Sequence, residues 1–221
     1  MRSAVRRLCT LMLVLLLAGC IPQPRSRPAP RTPVRLPAPL VETPLALRQC
    51  YADLSALGAR FEPLPDRVFP NGCSATGAVR LVAIGIPITN LGPVKCGEAL
   101  PLTQWVTQAV QSAAHDRLDG YVVRIESFGS FACRPINNVP GNALSEHGRA
   151  NAVDIAAFDL ADGRRITVKD GWNGPDEAAR AFLRQVHDAA CRRFNIVLGP
   201  DANAYHHDHF HMDMGNGRAC R

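Results

Sequence analysis

The chain has no apolar run long enough to cross a membrane. Its one strongly aliphatic stretch, residues 11–17, falls far short of the roughly 20 residues that a spanning helix needs. It has no internal repeat, which excludes a repeat array, and no second linker after residue 45. Residues 46–221 therefore read as one domain, with enough Val, Ile, Leu, Phe and Ala for a single core. No two cysteines form a Cys-x-x-Cys pair, which argues against a thiolate zinc knuckle. Net charge is also missing where it would count. Of 25 basic and 19 acidic residues, seven and one lie before residue 46, so the domain holds 18 of each. The formal charge of +6 belongs to the N-terminal segments, and a nucleic-acid partner is excluded. No feature sets an oligomeric state.

What precedes the domain reads as an export signal. Arg2, Arg6 and Arg7 form a basic n-region, residues 11–17 an apolar h-region, and Leu17-Ala18-Gly19-Cys20 a lipobox. Cleavage and lipidation at Cys20 would tie the mature chain to a membrane by acyl chains. By resemblance to bacterial lipoproteins, Ile21 after that Cys implies a periplasmic domain on the outer membrane. Residues 21–45 contain eight Pro, with Arg25, Arg27, Arg31 and Arg35 between them. They form a polyproline-like tether of about 3 Å per residue.

Periodicity predicts an α+β domain: a small antiparallel sheet with flanking helices. Helices are expected at 46–57 (stopped by Gly58), 101–115 and 176–194, the last with Asp176 and Glu177 at its start. Strands are expected at 79–84, 121–126, 154–160, 165–169, 196–198 and 209–214. The third and fourth form a hairpin around Ala161-Asp162-Gly163. The Gly-, Pro- and Asn-rich stretch 127–146 reads as a loop walling a cleft. Cys50, Cys73, Cys96, Cys133, Cys191 and Cys220, an even set in an exported domain, imply three disulfides, with sequential pairing expected.

Four of the seven histidines lie within six positions, in Tyr205-His206-His207-Asp208-His209-Phe210-His211-Met212-Asp213. On a strand, His209, His211 and Asp213 share one face, and Phe210 and Met212 point into the core. Upstream, Ser145-Glu146-His147 and the apolar run around Asp154 supply further candidates, because a lone buried carboxylate is costly unless it is paired or bound to metal. His147, Asp154 and one of His209 and His211 make a three-ligand set with a position left for water, the composition of a catalytic zinc site. His206 and His207 have no evident role, and His115 and His187 read as surface residues of helices.

Ser-x-His-x6-Asp followed by His-x-His resembles the LAS metallopeptidases (lysostaphin-type endopeptidases, D-Ala-D-Ala metallopeptidases and the hedgehog fold). Ser-Glu-His with Asp-His-Phe-His resembles, more closely, the bacterial extensin-like C-terminal domain family. The resemblance implies a hedgehog/DD-peptidase-like fold and a Zn2+ held by His147, Asp154 and His211. It implies His209 beside the metal, with His209 or Asp208 as the base. Arg134 would hold a substrate carboxylate or the oxyanion. Asp208 stands where these peptidases often carry Glu, and Ala150 where they commonly carry Gly. The implied activity is a zinc-dependent peptidase of peptidoglycan stem peptides, either a DD-carboxypeptidase or a crosslink endopeptidase. The alternative is a cell-wall peptide-binding module of the same fold.

Overall fold

The computed structural model describes residues 43–221; the leader, Cys20 and the tether up to residue 42 lie outside the described residues. Helix α1 (Pro44–Ala56) starts two residues before the expected position. The Thr43 hydroxyl accepts from the Ala46 amide (3.2 Å), and Pro44 fills a first-turn site that needs no donor. The chain leaves the helix through Gly58, at φ 74°.

Six strands follow: β1 (Arg60–Pro63), β2 (Arg67–Val68), β3 (Ser74–Ala75), β4 (Ala78–Ala83), β5 (Ile88–Thr89) and β6 (Val94–Lys95). Only β4 was expected; the others are too short for alternation to register. The helix expected at 101–115 is a longer run of α2 (Cys96–Gln104), a π-helical segment (Trp105–Val110) and α3 (Gln111–Leu118). Pro101 lies inside α2, not at its start. Trp105, fully buried, opens the π segment and donates its indole N–H to the Val186 carbonyl (2.8 Å).

The remaining elements are β7 (Val122–Gly129), β8 (Ala152–Leu160), β9 (Arg165–Thr167), α4 (Val168–Gly171), α5 (Glu177–Cys191), β10 (Ile196–Leu198), β11 (Phe210–Asp213) and β12 (Ala219–Cys220). Asp176 caps α5 by accepting from the Ala178 and Ala179 amides. The stripe Ala179, Phe182, Leu183, Val186, Ala190 turns one face of α5 inward. His187 lies on that face, four residues after Leu183. It is 5% exposed and packed against Trp172 and Phe210, which corrects the surface assignment; His115 is exposed as expected.

The main sheet has seven strands in the order β12-β10-β11-β8-β7-β5, with β9 also paired to β8. It is mixed, not antiparallel: β5 and β7 run parallel, as do β10 and β12, at its two ends. β8 lies at its centre and is buried along nearly its whole length, which is why it reads as a continuous apolar run around Asp154. Two small sheets, β1-β4-β6 and β2-β3, complete the α+β architecture.

Three disulfides form, but two pairings differ from the sequential expectation. Cys50 joins Cys96 and Cys73 joins Cys133, while Cys191–Cys220 is as expected. Pairing follows which elements pack together, here α1 against α2 and the β2–β3 hairpin against the loop after β7, and neighbours along the chain need not meet.

Among the described residues, one buried side chain has polar atoms without a hydrogen-bond partner. Glu98, in the first turn of α2, is fully buried, and neither carboxylate oxygen has a hydrogen bond. Desolvation, with Asp213 and Glu146 adding repulsion, raises its pKa well above the ordinary 4.5. Above pH 4.5 the unfolded chain gains by ionising this carboxyl while the folded chain keeps its proton, so the penalty is present at neutral pH and absent in acid. Glu98→Met is expected to add about 1–3 kcal/mol at pH 7, with the gain shrinking below pH 4.5, as read by urea melts of both chains at two pH values.

Candidate metal centre

The Ser145 hydroxyl accepts from the His147 amide (3.3 Å) and caps a 3-10 turn, Glu146–Arg149. The turn ends at Ala150 in the left-handed conformation (φ 54°), the position where the resembling peptidases commonly carry Gly. The chain then enters β8, and Asp154 is its third residue. β11 lies alongside, with His211 directly opposite Asp154 in the register. Phe210 and Met212 are fully buried on the other side of β11, as period two requires.

These elements bring three atoms to one point. His147 Nε2 is 3.1 Å from Asp154 Oδ1 and 3.1 Å from His211 Nδ1, which is 3.0 Å from the same Oδ1. Hydrogen bonds alone cannot account for the triangle, because two ring nitrogens that both donate to one oxygen cannot also bond each other. A divalent cation can. Tetrahedral coordination with bonds of about 2.0–2.1 Å sets donor atoms about 3.3 Å apart, close to every edge seen. The three residues are nearly sealed, with His147 3% and Asp154 7% exposed.

The surroundings prepare the donors. Burial opposes the charge of Asp154, but His147 and His211 outweigh it and hold its pKa far below the ordinary carboxylate range. Burial likewise opposes a charge on His211, but Asp154 and Asp213 push its pKa up to about 9. His211 Nε2–H donates to Asp213 Oδ2 (2.8 Å), so the Nδ1 lone pair faces the other donors once its proton leaves. Asp213 is thus an acceptor at the end of β11, and it also takes the Gly215 amide (2.8 Å).

The same residues border a cavity of about 490 Å³, within the range of ligand sites. The loop after β7, expected from residue 127 but beginning after Gly129 because the strand runs on beside β8, forms one wall through Arg134, Ile136 and Leu144. Among the described residues Arg134 has no acidic partner. His209 lies just before β11, with its Nε2 3.6 Å from Asp154 Oδ1 and its Nδ1–H donating to Asp208 (2.8 Å). Asp208 does not line the cavity; it stands behind His209. Exposed His207 donates to the Ala204 carbonyl. His206, read as having no role, is buried and lines the cavity; burial, then His211 and His209, push its pKa down to about 4. Its signal in the sequence is Asn203, three residues earlier, where an Asx turn orients the ring. A second group, His187, Cys191 and Cys220, has both sulfurs committed to a disulfide.

No curated protein and no solved structure matches the chain. A family model does, over residues 48–221, and this span contains every residue of the site. The chain belongs to the family described as extensin-like protein C-terminus.

Proposed function

We propose that this chain is an exported zinc peptidase of the hedgehog/DD-peptidase type, acting on the peptide stems of peptidoglycan by trimming a terminal D-Ala or cutting a crosslink. The observation that carries the reading is the convergence of His147 Nε2, Asp154 Oδ1 and His211 Nδ1 beside His209 in one cavity. Zinc held by these three residues would supply Lewis acidity toward a peptide carbonyl and toward water. His209 Nε2 takes the proton of the attacking water and returns it to the leaving amine. Asp208 holds the Nδ1–H and steadies the imidazolium that forms, a role its shorter side chain fits by reaching the ring and not the cavity. Arg134 offers its fork to a substrate carboxylate or to the oxyanion. The lipobox Cys20 and the tether would hold the domain at the outer membrane, within reach of the wall; three disulfides suit that compartment. A binding module of the same fold is the second reading, favoured by Asp208 standing in place of Glu.

The test is a digest of purified peptidoglycan by the zinc-loaded full chain in detergent, read by mass spectrometry of the muropeptides. Loss of a D-Ala or of a crosslink is expected, abolished by a chelator and in His209→Ala. Asp208→Asn should slow cleavage about 10²-fold or more, and Asp208→Glu should bring no gain. An unchanged profile from a chain that still holds zinc would sink the peptidase and leave the binding module.

A further inference from the structure

His206 borders the cavity but takes no part in the chemistry above. Its ring centroid is 5.3 Å from that of His209 and 5.6 Å from that of His211. Its hydrogen-bonding character follows from Asn203. The Tyr205 amide donates to Asn203 Oδ1 (2.9 Å), and a backbone N–H can only donate, so that atom is the oxygen and can only accept. His206 Nδ1 lies 2.9 Å from the same oxygen, so Nδ1 carries the hydrogen. The ring is buried beside two other imidazoles and is bonded to no carboxylate. A neutral ring with hydrogen on Nδ1 presents Nε2 as an acceptor.

Nothing among the described residues bonds Nε2. Among the described residues, the buried side-chain atoms sealed from solvent without a partner are both on Glu98, so Nε2 of His206 is not sealed, and the residue carrying it lines the cavity. An acceptor cannot stabilise an oxyanion or bind a carboxylate, but it matches a donor. Arg134, which lines the same cavity, only donates. The two together complement a segment that offers an amide N–H and a carboxylate.

We propose that His206 is a substrate-binding residue whose Nε2 accepts a hydrogen bond from a peptide N–H of the ligand, held in that tautomer by Asn203. The assignment rests on the peptide-cleft reading above. It is tested with the zinc-loaded full chain carrying His209→Ala, titrated calorimetrically with a stem pentapeptide and with analogues N-methylated at one amide at a time. One methylation should weaken binding about tenfold and should cost almost nothing once His206→Phe is added, with zinc content unchanged. Asn203→Ala, at an exposed position, should shrink the same penalty and decides the matter if His206→Phe does not fold. No binding of the parent pentapeptide would overturn the peptide reading and this assignment with it. Binding with the same N-methyl penalties in every background would overturn this assignment alone.

Discussion

If the proposed reading holds, replacing His147 by Ala is expected to abolish tight zinc binding and to reduce peptide cleavage on the order of 10³-fold or more, since it removes one of the three donors that could hold the metal among the described residues. Asp213→Ala, which leaves all three donors but frees the far side of His211, should cost about 10–100-fold in metal affinity. The contrast separates a donor from the group that orients one. A readout independent of turnover is available in the melting temperature. Zinc at a hundred times its dissociation constant adds about 2.7 kcal/mol, or roughly 5–10 °C for a domain of this size. His147→Ala should lose that increment entirely. Binding should also release protons, because His211 is protonated below about pH 9 in the metal-free chain and must give up its Nδ1 hydrogen to become a donor. Apparent affinity is therefore expected to rise with pH up to about 9 and then level off. An affinity that does not change between pH 7 and 9 would count against His211 as a ligand.

The second large effect is on stability. The Cys73–Cys133 disulfide spans 60 residues, the longest of the three loops, and on the chain-entropy account is worth about 4 kcal/mol. Exposed ion pairs such as Arg80–Glu62 contribute less than about 1 kcal/mol each. The paired replacement Cys73→Ala with Cys133→Ala should lower the melting temperature by roughly 8–16 °C. The loss should also reach the metal. Cys73 is fully buried, and a Cβ added at Gly148, next to His147, would stand 3.2 Å from its sulfur, so the bridge lies directly against the turn that presents the ligand. Cys133 also precedes Arg134 on the cavity wall. Weakened zinc binding in the double variant is therefore expected along with the stability loss. A fall of less than about 1 kcal/mol, with full zinc affinity, would mean that the turn is held by its own cap and by β8 alone.

Much of the architecture is legible in the sequence where one local force dominates. The Asp176 cap and the stripe behind it place α5, and period two separates His211 from Phe210 and Met212. The paired motifs that carry the resemblance contain all three donors. What is not legible depends on contacts between distant segments. The two-residue strands exist only because neighbours supply their hydrogen bonds, and the disulfide partners depend on which elements pack together. His187 is misread because a polar residue on an inward face looks like a surface one until Trp172 and Phe210 enclose it. His206 is passed over for a related reason. It precedes the strand, in a 3-10 turn, so alternation does not apply to it, and Asn203 decides its orientation.

The register that sets Asp154 opposite His211 has a further consequence. Their backbone separation is held by the ladder between β8 and β11. A slip of one step would turn His211 to the face opposite Asp154. Length changes should therefore be tolerated at the exposed turn around Gly163, while a single inserted residue between 210 and 213 would erase the centre. On the proposed reading, metal binding would have to follow folding: before these two strands have zipped, Asp154 and His211, 57 positions apart in sequence, are not neighbours.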